Sequence, residues 1–413
     1  MPVRTDPEPE RPPHPFALTV LYLPYGMAGG YVMVTLGYLL AHAGVSVESV
    51  ATIVALSILP QTWKVLWAPV LDTTLSARSW YLLSTVVTGL TLLALALVPA
   101  EQHSLWLLDV LVLISGVACS FSAMATEMLM AHHTPENQKG RAGGWSQAGN
   151  LGGAGLGGGV ALWLSQHAAA WTGGATLAGL SLLCSFALRY YKQPERGAHA
   201  PGLHYGHALL AVGRDVWSIA RGRAGYLTLL LFILPISTGA ASNLWSAVAD
   251  EWHASADTVA FINGIMGGLI CMVGSVAGGY MCDAIDRKGC YALFGVVQGL
   301  LAVAMALSAK TPLTFVIYTC AYAVLSGCIW AAFSAAALET IGRRSAATNY
   351  NLLACFSNTP ITYVTLIEGH VHTRWGSDGM LYTEAVLCAL AAVVFSIAVL
   401  ATRPRVLPSV SPA

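Results

Sequence analysis

Twelve apolar runs, each long enough to cross a lipid bilayer, restrict the folds open to this chain of 413 residues. A membrane-spanning helix needs about 20 predominantly apolar residues. Charged residues make up only 10% of the chain, whereas a soluble domain carries about 25%. The sequence therefore predicts an all-α membrane protein with twelve transmembrane helices, at approximately 17–41, 47–71, 80–99, 105–131, 142–166, 170–191, 225–248, 256–282, 289–309, 312–338, 346–369 and 380–402.

The order of motifs along the chain repeats once. Asp72, in the turn after the second run, recurs as Asp283 at an offset of 211 residues (283 − 72). Three further matches keep the order and nearly the spacing: Leu23-Pro24 with Leu234-Pro235, Phe121–Glu127 with Phe333–Glu339, and Ser46–Ile53 with Ser255–Ile262. Such a duplication indicates two pseudo-symmetric six-helix halves, which is the plan of the major facilitator fold.

Lys and Arg predict both the orientation and the domain boundaries. Eighteen of these residues fall on one side of the predicted helices, and only Lys310 and Arg374 fall on the other. Because cytoplasmic loops carry the excess of positive charge, both termini should be cytoplasmic in a multi-pass protein of a bacterial cytoplasmic (inner) membrane. The predicted divisions are a cytoplasmic tail at 1–16, an N-terminal half at 17–191, a cytoplasmic linker at 192–224, a C-terminal half at 225–402, and a second cytoplasmic tail at 403–413. The charged, Pro-rich start does not have the pattern of a cleaved signal peptide.

Several function classes find no support in the sequence. The net charge is zero and there is no basic run, so nucleic acid is not an expected partner. No P-loop, dinucleotide fingerprint or catalytic triad is present. Glu368-x-His370-x-His372 was weighed as a metal site, but exposed loop histidines are ordinary, and neither a metal nor a cofactor is predicted. The expected partners are the lipid bilayer and a small organic solute, with the protein acting as a monomer.

The motif Lys64-Val-Leu-Trp-Ala-Pro-Val-Leu-Asp72 carries a family resemblance. Together with Gly140–Leu164, Ala331–Ala335 and 345–353, it resembles the AmpG-type permeases of the major facilitator superfamily, which include muropeptide, acetyl-CoA and siderophore permeases. The resemblance implies a solute transporter rather than an enzyme. The chain departs from the family pattern at Ala123, where a second helix-4 carboxylate is usual, and at Thr73, where an Arg is usual. It also lacks the extra C-terminal helices of many muropeptide permeases.

Polar side chains within the apolar runs mark a candidate solute cavity. Burying such groups in lipid costs several kcal/mol, so they should face the space between the halves. The alternative for any one of them is an interhelical hydrogen bond. The candidates are Tyr25, Tyr31, Gln61, Trp63, Gln147, Asn150, Asn243, Trp245, Asn263, Trp330, Asn349, Tyr350 and Asn358.

Glu127 is the candidate for proton coupling, because a coupling carboxylate must titrate as its burial changes. The alternative is that Glu127 pairs with Arg141, and Glu339 with Arg343 or Arg344, as ion pairs of an inner gate. In the gate motifs themselves, Asp72 and Arg78 could pair with each other or with a neighbouring helix end. The gate candidates are Lys64, Asp72, Arg78, Arg141, Asp283, Arg287, Glu339 and Arg343.

The sequence thus predicts a secondary active importer of a bulky organic solute, driven by the proton gradient. The candidate cavity is rich in aromatic and amide groups, and no Lys or Arg is expected at mid-depth. These features favour a siderophore, since aromatic rings stack on planar ligands. A muropeptide is the alternative solute. A membrane-embedded enzyme would need a buried catalytic His or nucleophile cluster, which the sequence does not offer.

Overall fold

The computed structural model describes residues 13–45, 47–192, 213–214, 217–218, 220–255, 258–259, 261–341 and 346–402, and every regular element in these ranges is helical. The two predicted tails at 1–16 and 403–413 and the linker at 192–224 lie largely outside the described residues. Arg343 and Arg344 also lie outside them.

The helices follow one another with short connections. α1 is Phe16–Gly30 and continues through a π-helical segment, Tyr31–Leu36, into Gly37–His42. The others are α2 Val47–Thr73, α3 Ala77–Leu97, α4 Leu105–His133, α5 Lys139–Gly155 (extended by a π segment, Leu156–Val160, and by Ala161–His167), α6 Thr172–Cys184, α7 Arg223–Ile233, α8 Gly267–Ala284, α9 Arg287–Ala306, α10 Pro312–Thr340, and α11 and α12 within Ala346–Ala401.

Gly376 separates α11 (346–375) from α12 (377–401). Its backbone has φ +65° and ψ −166°, a conformation that favours glycine and that no helix contains. His370 and His372, expected in a loop, therefore lie on the last turns of α11. The predicted end of this helix at 369 was short by about six residues, within the usual error of such boundaries.

Several helices are long and apolar enough to cross a membrane. Within the described ranges there are six such stretches, and the bent pair Thr52–Gln61 and Trp63–Thr73 would add a seventh. The six are Phe16–Leu40, Ala77–Leu97, Leu105–His133, Arg287–Ala306, Pro312–Thr340 and Ala346–Ala401. The last of these reverses at Gly376 and so contains two helices.

Helix α7 differs from its prediction. A continuous helix over 225–248 was expected, but α7 ends at Ile233, and the chain resumes as a 3₁₀ segment, Ala240–Leu244. Pro235 lacks the N–H that a continuing helix needs, and Gly239 adopts φ +56°. These two residues account for the interruption.

The buried core shows how the bundle is arranged. We call the end where α2 and α8 terminate the gate end, and the opposite end, which contains Gly376, the distal end. At the gate end, one apolar cluster joins residues of the first six helices, such as Leu71 and Tyr81, to residues of the last six, such as Phe232 and Tyr350. Toward the distal end the described core divides into one cluster within residues 27–177 and another within 241–381. The two sets of helices are thus fused at the gate end and separately packed at the distal end.

Candidate functional site

Glu127 of α4 is the centre of a buried polar cluster near the gate end. Its side chain is 1% exposed. Tyr22 of α1 donates its hydroxyl to Oε1 at 2.6 Å, and Asn351 of α11 donates Nδ2 to Oε2 at 2.6 Å. Lys64 of α2 places Nζ 3.6 Å from Oε1. One carboxylate therefore ties three helices of the first set to one helix of the second.

The expected pairing of Glu127 with Arg141 is wrong. Lys64 is the cation beside Glu127, and Arg141 pairs instead with Asp283. Lys64 lies nine residues (73 − 64) before the end of α2, which is about 14 Å along a helix. A cation is therefore present near mid-depth, where none was expected.

Asp72, near the gate end of α2, accepts hydrogen bonds from the first turn of α11. The donors are the backbone N–H of Ala347 at 3.3 Å and the backbone N–H and hydroxyl of Thr348 at 3.0 and 2.6 Å. A helix N-terminus carries unsatisfied N–H groups and a partial positive charge, so a carboxylate there is stabilised. Asp72 thus binds a neighbouring helix end. The part of the chain that is described contains no ion-pair partner for Arg78.

Asp283, near the end of α8, makes the matching contact with the first turn of α5. It accepts from the backbone N–H groups of Gly140 at 2.7 Å and Arg141 at 3.1 Å, and from Arg141 Nε at 2.8 Å. A Cβ at Gly140 would collide with Gly279 and Asp283, so only glycine allows this approach. The two repeated Asp residues therefore play the same structural part.

A more exposed ion-pair network surrounds the Asp283 contact. Arg287 lies 2.7 Å from Glu136 and 3.3 Å from Glu339, and Lys288 lies 2.7 Å from Glu339. The hydrogen bond from Lys139, joined by that from Arg287, lowers the pKa of Glu136 below its usual value. Glu339 thus has two cations from α9 as partners, whereas the predicted Arg343 and Arg344 lie outside the described residues.

A cavity of about 270 Å³ lies between α1, α2, α4 and α5. Its polar lining comes from Tyr25, Ser57, Gln61, Ser115 and Asn150, and no Asp, Glu, Lys, Arg or His lines it. Gln147 accepts a 3.1 Å hydrogen bond from Asn150 and so orients this amide. Hydroxyl and amide groups on a glycine-rich wall suit an uncharged polar part of a solute.

The other cavity candidates are dispersed. Trp63 is 56% exposed on the outside of the bundle, and Trp245 is buried against Phe315 and Tyr322. The remainder are placed as follows: Tyr31 in the core, Trp330 at a second cavity of about 20 Å³ beside the α7 interruption, Asn243 bonded to Thr365, Tyr350 bonded to Ser334, Asn349 buried, and Asn358 half-buried. Asn263 lies in the π segment Phe261–Met266, but its side chain lies outside the described part.

Sequence reasoning missed two clusters toward the distal end. Glu368 and Glu384 were placed near the ends of their helices, yet both side chains are buried. Glu251 accepts from His372 at 2.7 Å, from the Ser377 hydroxyl at 2.7 Å and from Lys310 at 3.3 Å. Burial opposes ionisation, but these hydrogen bonds outweigh it and lower the pKa of Glu251 to about 2. The available signal was the spacing of Glu368 and Glu384 about Gly376.

Comparison with known proteins supports the resemblance drawn from the motifs. The chain is 24% identical over 395 residues to the anhydromuropeptide permease of Escherichia coli, in each of two strains, covering 91% of this chain and 77% of the relative. The human organic anion transporter MFSD10 superposes with a TM-score of 0.72 at 15% identity, covering 93% of this chain and all of that one. The E. coli fucose:proton symporter superposes with a TM-score of 0.67 at 14% identity, covering 93% and 98%.

The resemblance to AmpG-type permeases is thereby confirmed, and so is the expectation of a transporter rather than an enzyme. The solved structures show a shared all-helical fold. The sequence model of the Major Facilitator Superfamily matches residues 18–240, more than half of the chain. The chain belongs to the Major Facilitator Superfamily.

Proposed function

We propose that this protein imports an anhydromuropeptide or a close chemical relative across a bacterial cytoplasmic membrane, driven by the proton gradient. Twelve membrane-spanning helices form two six-helix halves, α1–α6 and α7–α12, that alternate access to a central site. The gate end faces the cytoplasm. The observation that carries this proposal is the similarity to an anhydromuropeptide permease over 91% of the chain.

The orientation rests on the positive charges. Lys139, Arg141, Arg287 and Lys288 all lie at the gate end, and Lys310 lies at the distal end. Positively charged loops stay in the cytoplasm during membrane insertion. The single gate-end core and the two separate distal cores support a state that is closed toward the cytoplasm.

The solute class follows from the relatives and from the cavity lining together. The siderophore interpretation depended on an aromatic cavity without a nearby cation. Trp63 and Trp245 lie away from the cavity, and Lys64 lies beside Glu127. What remains is a lining of hydroxyl and amide groups, which suits a solute made of sugar and peptide units. The cavity lies just below the ~300–1,000 Å³ typical of small-ligand sites, so a solute of this size needs the helices to move further apart.

Proton coupling is assigned to Glu127. In the closed state its carboxylate accepts from Tyr22 and from Asn351, and Lys64 is its counter-ion. A proton on Glu127 removes the charge that holds Lys64 and Asn351, and this weakens a link between the two halves. Protonation from the distal side would thereby release the gate. Loss of the proton to the cytoplasm would restore the link, as coupled transport requires.

The test uses full-length protein in proteoliposomes with radiolabelled anhydromuropeptide. We expect accumulation when a proton gradient is imposed, and its loss on addition of a protonophore. Glu127→Gln should abolish accumulation while keeping exchange of labelled for unlabelled solute, because exchange needs no net proton movement. Glu101→Gln, at an exposed residue of the α3–α4 connection, is the matched control.

Three outcomes would contradict the proposal. Uptake that ignores the protonophore would exclude proton coupling. Competition by a ferric siderophore, without uptake of anhydromuropeptide, would restore the siderophore interpretation. Normal accumulation by Glu127→Gln would reduce Glu127 to a structural role.

A further inference from the structure

Two buried carboxyl side chains face each other across the α11–α12 hairpin. Glu368 lies eight residues before Gly376 (376 − 368), and Glu384 lies eight residues after it (384 − 376). Eight helical residues span about 12 Å, so both carboxyls lie at the same depth below the turn. Glu368 is 0% exposed and Glu384 is 3% exposed. The two interact electrostatically, with each other as the charged neighbour.

The partners of the two carboxyls are unequal. Glu384 Oε2 accepts from the backbone N–H of Ala241 at 3.3 Å and from the Tyr322 hydroxyl at 3.4 Å. Both oxygens of Glu368 are buried and have no hydrogen-bond partner among the described residues. An ionised carboxylate accepts up to four hydrogen bonds, and a buried one without donors is strongly disfavoured.

The surroundings offer no positive charge to compensate for two negative ones. The titratable groups facing the pair are Tyr322 from α10 and Cys388 from α12, and the 3₁₀ segment Ala240–Leu244 contributes only backbone. α9, which also packs against α12, carries Cys290 and Tyr291 at the gate end. The basic residues of the distal end are engaged or exposed: Lys310 and His372 bind Glu251, and His370 and Arg374 are exposed.

We propose that Glu368 is a proton-binding site of the C-terminal half, formed with Glu384 and distinct from Glu127. One proton is held on a Glu368 oxygen in the state described here. The donors from Ala241 and Tyr322 stabilise the remaining negative charge on Glu384. When the site opens to water, the O–H bond of Glu368 breaks, the proton passes to water, and both carboxyls are left ionised and hydrated.

The interruption of α7 links this site to conformational change. Ala241 belongs to the 3₁₀ segment that follows the interruption, and the neighbouring Asn243 donates to Thr365 of α11 at 3.0 Å. A movement of this segment therefore removes a donor from Glu384 and lets water reach the pair. Proton affinity at Glu368 then depends on the position of α7, the helix that faces the other half in the proposed transport cycle.

The first test is infrared spectroscopy of the purified full-length protein in lipid nanodiscs. We expect a protonated carboxyl C=O band at neutral pH that shifts in D₂O and is lost in Glu368→Gln. Glu101→Gln, at an exposed carboxyl, should keep the band. A wild-type spectrum without such a band at neutral pH would overturn the proposal, even if the variant fails to fold.

Glu384→Gln provides the second variant. It removes the like charge beside Glu368 and adds an amide donor, so the band of Glu368 should disappear at a lower pH than in the wild type. An unchanged band in both variants would assign the buried proton to another carboxyl and refute the site.

The role of this site in transport rests on the proposed function and is measured separately. The number of protons moved per solute should fall by about one in Glu368→Gln, and the accumulation ratio should then lose about tenfold per pH unit of gradient. An unchanged proton count would limit the pair to a structural role. If anhydromuropeptide is not transported at all, the infrared result still stands or falls by itself.

Discussion

Helices α1 and α7 carry the same Leu-Pro dipeptide at equivalent positions of the repeat, yet only α7 is interrupted. α1 runs through Pro24, whereas α7 ends one residue before Leu234. A proline removes one backbone hydrogen bond in either helix. The difference therefore lies in the residues around the two prolines.

The surroundings of α1 hold it straight. Gly26 and Gly30 bring its backbone against that of α5, at Asn150 and Ala154, so closely that a Cβ would not fit. α7 lacks such a contact at the interruption, and Gly239 there adopts a left-handed conformation. Its freed backbone binds Glu384 instead. One half thus uses close glycine packing where the other uses a broken helix and a buried acid.

The largest expected effect comes from removing the glycine packing of α1. Gly30→Ala places a Cβ against the backbone of Ala154, which cannot move aside as a side chain could. We expect a loss of about 3 kcal/mol in the free energy of unfolding. Thermal denaturation in detergent measures it. Gly29→Ala, where no atom lies within 4 Å of the added Cβ, should leave stability unchanged or slightly raised.

The next effect compares the two gate contacts. Asp283→Asn weakens bonds to two backbone N–H groups and to Arg141, and should shift the balance away from the closed gate by about 2 kcal/mol, or roughly 30-fold. Asp72→Asn should have a smaller effect, because no cation contacts Asp72. Transport should slow in both variants while solute binding is kept, as measured by initial uptake rates and equilibrium binding.

Asp286→Asn is the control for both gate variants. Asp286 caps α9 by accepting from the backbone N–H of Gly289 at 2.6 Å, and Asn caps a helix about as well. Loss of solute binding in Asp283→Asn would mean that this residue belongs to the solute site or is needed for folding.

A smaller effect is expected at the interruption of α7. Gly239→Ala places a Cβ in a left-handed backbone and 2.9 Å from Gln298 Nε2. The strain should lower the free energy of unfolding by about 1–2 kcal/mol. Pro24→Ala should be close to neutral, since α1 is already helical there. Equal losses in the two variants would show that the two prolines act alike and that their surroundings do not decide.

The smallest effect concerns Glu251, whose bonds to Ser377 and His372 hold the α11–α12 turn to the segment after α7. Its folded pKa of about 2 lies below the ordinary 4.5, so its contribution to stability is complete above pH 4.5 and disappears as the pH falls toward 2. The melting temperature of Glu251→Gln should lie slightly below that of the wild type at pH 7, and the gap should narrow in acid. A gap that is independent of pH would contradict this account.

The sequence predicted well what depends on position along the chain. The repeat identified Asp72 and Asp283 as equivalent, and polarity identified Gln61 and Asn150. The partner of Glu127 was wrong because the rotation of one helix relative to another is decided by packing. Lys64 and Arg141 are equally available in sequence, and only the close approach of α5 to α8 directs Arg141 to Asp283. Trp63 and Trp245 show the same limit, since an apolar run does not reveal which face meets lipid.

The two gate contacts also form a reciprocal pair. Asp72 of α2 binds the start of α11, and Asp283 of α8 binds the start of α5. In the repeat, α8 corresponds to α2 and α11 to α5. A contact in which one surface of each copy meets the other surface of its twin is what a two-fold symmetric dimer makes. A single-copy ancestor could have closed as a homodimer with this one Asp, and gene fusion would have preserved both contacts while allowing Glu127 and Glu368 to diverge.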